Sequence, residues 1–231
     1  MYKRIGILGG MTPESTVSYY QHIFRRYVEL YGDLGYPEMV IYDVSFQRFE
    51  DWMGVEDWAS IEEALLEGLG RLEVAGADFA VIATNTMHIL FDRLEVKSPI
   101  PLISIVDATA EAIKEGGLDT VGLLGTQFTM EKPFYAEGLR GHGIETLVPG
   151  EEEREYINRV IFQELSTGKL LPESKKGYLK TIEGLVKRGA QGVVLGCTEI
   201  PLLVTPELTD VKLFDTATIH AESALRYAIG G

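Results

Sequence analysis

Short apolar runs alternate along this chain with longer stretches of helical period. Runs rich in Val, Ile and Leu occur at positions 5–8, 39–44, 79–82, 102–105, 121–124, 144–148, 193–195 and 212–214. Each reads as a strand buried on both faces. Between them apolar residues recur every three or four positions, as in Val17, Tyr20, Ile23, Phe24, Tyr27 and Leu30, then Ile61, Leu65, Leu69 and Leu72, and later Tyr156, Val160, Ile161 and Leu165. Strand alternating with helix predicts an α/β protein with mainly parallel sheet and right-handed crossovers. In such sheets ligands bind beyond the C-terminal strand ends, so chemistry is to be sought at 9–12, 45–48, 84–86, 125–129 and 197–199. The acidic run at 151–155 fits a solvated first helical turn favoured by the macrodipole.

The pattern is written twice. Lys3-Arg4-Ile5-Gly6-Ile7-Leu8-Gly9-Gly10 is echoed by Asp119-Thr120-Val121-Gly122-Leu123-Leu124-Gly125-Thr126. Gly76-Ala77-Asp78-Phe79-Ala80-Val81-Ile82-Ala83-Thr84 is echoed by Gly189-Ala190-Gln191-Gly192-Val193-Val194-Leu195-Gly196-Cys197. A third pair, around Asp107 and Asp215, follows in the same order. Two pseudo-symmetric lobes are expected, each a mainly parallel sheet flanked by helices, with the active site in the cleft between them. Residues 1–105 and 211–231 are assigned to the N-terminal lobe and 106–210 to the C-terminal lobe. Thr84 and Cys197 then hold equivalent positions.

Composition narrows the partners. The 231 residues are 45% hydrophobic, ample for a core, and carry 35 acidic against 21 basic residues for a net charge of −14. Phosphate backbones and anionic membranes require clustered Lys and Arg, so neither nucleic acid nor a membrane is an expected partner. No apolar run approaches the roughly 20 residues needed to span a bilayer and no secretory signal is visible; a cytoplasmic location is expected. One cysteine excludes an intramolecular disulfide, and His22, His88, His142 and His220 lack metal-ligand spacing, so no metal is expected.

Three segments could carry chemistry. Gly9-Gly10-Met11-Thr12-Pro13 links a strand to a helix, with Thr12 as N-cap and Pro13 at the first helical position. It either contacts a small anion through amides at a helix N-terminus or simply makes the turn; its spacing fits neither a dinucleotide fingerprint nor a P-loop. Thr84-Asn85-Thr86-Met87-His88 packs hydrogen-bonding side chains after a buried strand, for a ligand or for helix capping with a satisfied His88. Cys197-Thr198-Glu199 follows the equivalent strand. Its thiol is either an inert buried group or a reactive one beside a helix N-terminus that would stabilise a thiolate.

Gly-Gly-Met-x-Pro, Thr-Asn-Thr-Met-His and Gly-Cys-Thr-Glu-Ile, in this order over the whole chain, resemble the aspartate/glutamate racemase family, which works without pyridoxal phosphate. The resemblance implies a dimeric two-lobed fold in which two cysteines flank the α-carbon of an amino acid. One removes the α-proton and the other returns a proton to the opposite face. Cys197 matches the second cysteine, on the L-face. The first position is Thr84, so the chain resembles the threonine/cysteine subgroup associated with aspartate and glutamate, and an L-to-D bias is implied. An aliphatic hydroxyl is a poor base near neutral pH, whereas a thiol can be tuned to a thiolate; Thr84 is better suited to giving a proton, directly or through water. Arg48 could form a bidentate pair with the distal carboxylate or be a surface arginine, and Lys169 resembles a position that supplies a cation. Met11, Thr12, Asn85, Thr86, Thr126, Thr198 and Glu199 are the further substrate-binding positions implied, with no cofactor. The alternatives are a one-cysteine decarboxylase or isomerase of a small diacid and a non-catalytic sensor of acidic amino acids.

Overall fold

The computed structural model of the chain describes residues 2–230 and divides into two compact units, one of Met1–Ile105 with His220–Gly231 and the other of Val106–Ile219. The chain runs β1 (Ile5–Gly9), α1 (Pro13–Tyr31), β2 (Met39–Asp43), α2 (Phe46–Gly54), α3 (Trp58–Val74), β3 (Phe79–Ile82), α4 (Phe91–Lys97), β4 (Leu102–Ile103) and α5 (Ile105–Glu115). It continues through β5 (Thr120–Gly125), α6 (Gln127–Glu131), α7 (Pro133–Gly141), β6 (Glu145–Leu147), α8 (Glu151–Gln163), α9 (Pro172–Lys187), β7 (Gly192–Gly196), α10 (Ile200–Leu203), β8 (Lys212–Asp215) and α11 (Thr216–Ile229). Every apolar run is a strand. All the pairings are parallel, and the two sheets have the same order, β2-β1-β3-β4 and β6-β5-β7-β8.

The central strands β1, β3 and β7 are buried along their whole length, which is why their sequences are continuous rather than alternating. Ile5, Ile7, Leu8, Phe79 and Val81 are fully buried in the first unit, and Val193 and Val194 in the second, each such side chain contributing roughly 1.5–3 kcal/mol relative to an exposed one. α3 buries Ile61, Leu65, Leu69 and Leu72, as its period predicts. Gly68 lets this helix approach β1 closely, since a Cβ there would lie 2.6 Å from a Leu8 methyl. α8 opens with its three glutamates in the first turn, and the Glu153 carboxylate accepts from the Gly150 amide at 3.0 Å.

Two expectations are corrected. The second chain return lies between Ile219 and His220 rather than at residue 211. β8 hydrogen-bonds to β7 along Lys212–Asp215, so residues 211–219 stay with the second sheet. α1 buries Tyr19, Ile23 and Tyr27, while Val17, Tyr20 and Leu30 from the expected stripe are exposed. The helix carries two apolar lines, and the inner one is fixed by a polar contact: the Tyr19 hydroxyl donates to His220 Nδ1 at 2.7 Å. His220 Nε2 donates in turn to the Ile103 carbonyl at 2.8 Å.

Burial lowers the pKa of His220 to about 3, with the neighbouring His88 adding to the effect. The unfolded chain therefore takes up a proton near pH 6.5 that the folded chain refuses, so stability is fully present above that value and is lost as pH falls towards 3. Between pH 6.5 and 5 the loss approaches about 1.4 kcal/mol per pH unit for one such group. The urea midpoint should fall from pH 7 to pH 5, and His220→Gln should flatten the fall; an equal slope in the variant would remove His220 as its source.

Candidate active site

The strand order places two loops side by side in each unit. β1 and β3 are neighbours, and the chain leaves them for opposite sides of the sheet, to β2 and to β4. This is the topological switch point at which open α/β sheets hold ligands. Its loops carry Gly10, Met11 and Thr12 after β1 and Thr84, Asn85 and Thr86 after β3. β5 and β7 repeat the arrangement in the second unit, with Thr126 after one and Cys197, Thr198 and Glu199 after the other.

The glycine pair after β1 is required by crowding. A Cβ on Gly9 would lie 2.2 Å from Thr16 Oγ1 and 2.6 Å from Asp43 Oδ1, and Gly10 has φ 85° with the Val44 carbonyl 2.5 Å from where its Cβ would be. The Gly10 amide donates to Thr16 Oγ1 at 2.9 Å, and that hydroxyl donates to Asp43 Oδ1 at 3.2 Å. Gly10 thus serves the turn, its amide committed to Thr16 rather than offered to an anion. Thr12 and Pro13 take the N-cap and first helical positions of α1, and Met11 is buried.

Thr84 sits two residues past β3 in a tightly bonded corner. The Ala83 amide donates to the Leu8 carbonyl at 2.9 Å, and Ser15 Oγ donates to the Ala83 carbonyl at 2.7 Å. Thr84, Asn85, Thr86 and His88 are all buried, with a 3-10 turn over Thr86–Leu90. Ser15 and Thr16 are working residues of this corner that sequence reasoning missed. Their signal was position, since the first turn of α1 must pass over the end of its own strand. Arg48 lies in the first turn of α2, exposed, with its guanidinium 4.9 Å from the ring centre of Trp52.

In the second unit the decisive contact is short in sequence. Cys197 Sγ donates to Glu199 Oε2 at 2.9 Å, and Thr198 Oγ1 donates to the same oxygen at 2.9 Å. Both Cys197 and Glu199 are buried, the sulfur within a cluster that includes Tyr178, Leu195 and Ile200. Burial, and then the Glu199 carboxylate, push the thiol well above its ordinary pKa, outweighing the backbone amides of Glu199 and Thr198 that favour the anion. The expectation of a thiolate stabilised by a helix N-terminus is therefore corrected. α10 has only four residues, too short for a strong dipole, and the resting group is a thiol hydrogen-bonded to a carboxylate. Such a thiol can give a proton at once, and it can act as a base when its own proton passes to Glu199.

The remaining positions divide between structural and open. Thr126 caps α6, its Oγ1 accepting from the Thr129 amide at 3.3 Å and lying 3.1 Å from the Thr129 hydroxyl. Lys169 is exposed and follows the 3-10 turn Leu165–Thr167, which packs against α10, the helix after Glu199. Among the described residues no group of three His, Cys, Asp or Glu side chains is placed to hold a metal ion.

The chain as a whole is similar to known proteins. A solved structure from Yersinia pestis is 40% identical, with 98% of this chain and 99% of that chain covered and a TM-score of 0.91. An aspartate racemase homologue from Pyrococcus horikoshii is 39% identical over 99% of this chain and 100% of its own, with a TM-score of 0.87. The broad specificity amino-acid racemase RacX of Bacillus subtilis is 24% identical over 96% of both chains. The model of the Asp/Glu/Hydantoin racemase family matches residues 8–224. With the doubled sheet, the two strand-end clusters and this match over nearly the whole length, the chain belongs to the Asp/Glu/Hydantoin racemase family.

Proposed function

We propose that this protein is a cofactor-independent racemase of aspartate or glutamate in which Cys197 and Thr84 serve opposite faces of one α-carbon. The observation that carries the reading is their equivalence: both follow the third strand of an identically ordered four-stranded sheet, Cys197 directly after β7 and Thr84 one position further from β3 because Ala83 intervenes. Starting from the L-enantiomer, the Cys197 proton passes to Glu199 Oε2 and the thiolate takes the α-proton. Thr84 gives its hydroxyl proton to the opposite face of the carbanion and regains one through water as Glu199 releases to water the proton it took, because a free alkoxide is too costly near neutral pH; the α-proton stays on Cys197 and the resting protonation is restored. Asn85, Thr86, Thr126, Thr198, Met11 and Thr12 are the proposed contacts to the α-substituents, and Arg48 and Lys169 the proposed cations for the distal carboxylate. Two enantiomers have equal energy, so kcat/KM is the same in both directions. An L-to-D bias is thus a higher kcat for the L-enantiomer matched by a higher KM. A homodimer acting in the cytoplasm completes the proposal.

The experiment is proton NMR of L-aspartate and L-glutamate in D2O. Cys197→Ala should abolish α-hydrogen exchange of the L-enantiomer. Thr84→Ala should retain exchange of the L-enantiomer while forming the D-enantiomer on the order of 10²–10⁴-fold more slowly, the usual worth of a general acid. Wild-type exchange in Cys197→Ala, or equal loss of exchange in both variants, would refute the division of labour.

The carboxylate makes a second prediction. Glu199 raises the thiol pKa by its negative charge and by accepting the thiol proton, so Glu199→Gln should lower the thiolate titration midpoint. Absorbance at 240 nm and the pH dependence of alkylation by iodoacetamide report that midpoint. Loss of the proton acceptor should at the same time slow α-exchange at neutral pH. A midpoint that stays put or rises would mean that Glu199 does not set the state of Cys197.

A further inference from the structure

The buried imidazole of His88 has no step in this mechanism, yet every side of it is engaged. Nδ1 lies 2.8 Å from the Thr84 carbonyl, which can only accept, so Nδ1 carries the hydrogen. Nε2 lies 3.1 Å from the Ile105 amide, which can only donate, so Nε2 is the bare nitrogen. The ring is therefore a neutral Nδ1–H tautomer, set by the backbone on both sides. One face stacks on Phe91 at 5.3 Å with an interplanar angle of 6°, and His220 meets the ring at 5.7 Å and 76°.

The far end of this arrangement is itself anchored. His220 donates to the Ile103 carbonyl and accepts from Tyr19, and Ile103 pairs with Val81 at the centre of β3. Ile103 and Ile105 are thus both held by histidines, one through a carbonyl and one through an amide. His88 spans from this fixed segment to the main chain of Thr84, where β3 has ended and no ladder partner holds the Thr84 carbonyl.

We infer that His88 is a positioning residue that aims the Thr84 hydroxyl by holding the Thr84 carbonyl through its Nδ1–H. The inference rests on the proposed acid role of Thr84 and is specific to one half of the reaction. Removal of the α-proton by Cys197 does not depend on where the Thr84 main chain lies, whereas delivery of a proton to the opposite face does. Displacing a reacting group by as little as 1 Å costs up to about 100-fold in rate.

The two ring nitrogens can be replaced one at a time. His88→Asn keeps an amide donor near the Nδ1 position and loses the bond to Ile105; His88→Gln keeps an acceptor near the Nε2 position and loses the bond to Thr84. In D2O with L-aspartate or L-glutamate, His88→Gln should form the D-enantiomer about 10- to 100-fold more slowly while its α-exchange into the L-enantiomer stays within a few-fold of wild type. His88→Asn should recover most of the D-product rate. Exchange and product falling together in folded His88→Gln, or Asn rescuing no better than Gln, would overturn the inference and leave His88 a packing residue. A measurement on the unaltered protein guards against variants that fail to fold: nitrogen-15 chemical shifts of His88 should show the neutral Nδ1–H tautomer, and an Nε2–H tautomer or an imidazolium would overturn it equally. Absence of any α-exchange by the wild-type protein would instead contradict the racemase reading, a separate outcome.

Discussion

In each unit two parallel strands lie side by side and release the chain in opposite directions, and the rest of the molecule follows from this constraint. A parallel strand needs a crossover to reach its neighbour, and the crossovers cover both faces of the sheet with helices. What stays open is the carboxyl end between β1 and β3, or between β5 and β7. Buried polar residues gather there, Thr84, Asn85, Thr86 and His88 in one unit and Glu199 beside the buried Cys197 in the other. Burying them costs free energy unless each is bonded, and the Ser15, Thr16, Thr126 and Thr129 hydroxyls supply main-chain and side-chain partners around the same loops.

The two repeats keep the sheet and vary the corner. In the first, the residue past β3 is held through its backbone, by Ser15 to Ala83 and by His88 to Thr84. In the second, the residue past β7 is held through its side chain, the Cys197 thiol on the Glu199 carboxylate. This difference matches the chemistry proposed for each. A hydroxyl that gives a proton has to be aimed, and its pKa cannot usefully be shifted far enough to matter. A thiol that takes a proton needs somewhere for its own proton to go, and the carboxylate two residues on provides it. Burial alone would leave Cys197 an inert thiol; burial beside an acceptor leaves it protonated at rest and convertible by one short transfer.

Strand positions were legible in the sequence because strands buried on both faces are written as unbroken Val, Ile and Leu runs, and the doubling of the order β1 to β4 was legible because Ile5 to Gly10 and Val121 to Thr126 still resemble each other. The chain return was read too early, since Val211 to Phe214 looks alike whether it ends one sheet or begins a passage back to the other; only the pairing of β8 with β7 decides it. Similarly, the expected stripe on α1 mixed the exposed Val17, Tyr20 and Leu30 with the buried Ile23 and Tyr27, and the buried Tyr19 that completes the inner line has its hydroxyl partner in His220, 201 positions away in sequence. Candidate site residues were legible as clusters. The state of the thiol was not, because it depends on the Glu199 side chain curling back across Thr198, and neither was the tautomer of His88, which is set by two backbone groups.

The central claim is that two different groups act on the two faces of the α-carbon, one taking a proton and the other giving one. Its most direct measurement uses the unaltered protein. Protiated L-aspartate or L-glutamate is converted in D2O, and the α-position of the first D-enantiomer formed is analysed by mass spectrometry. Two-group transfer predicts solvent deuterium at that position in essentially every D-product molecule from the first turnover. A D-product that keeps the original α-hydrogen would mean that one group carries the same proton from face to face, and would contradict the account.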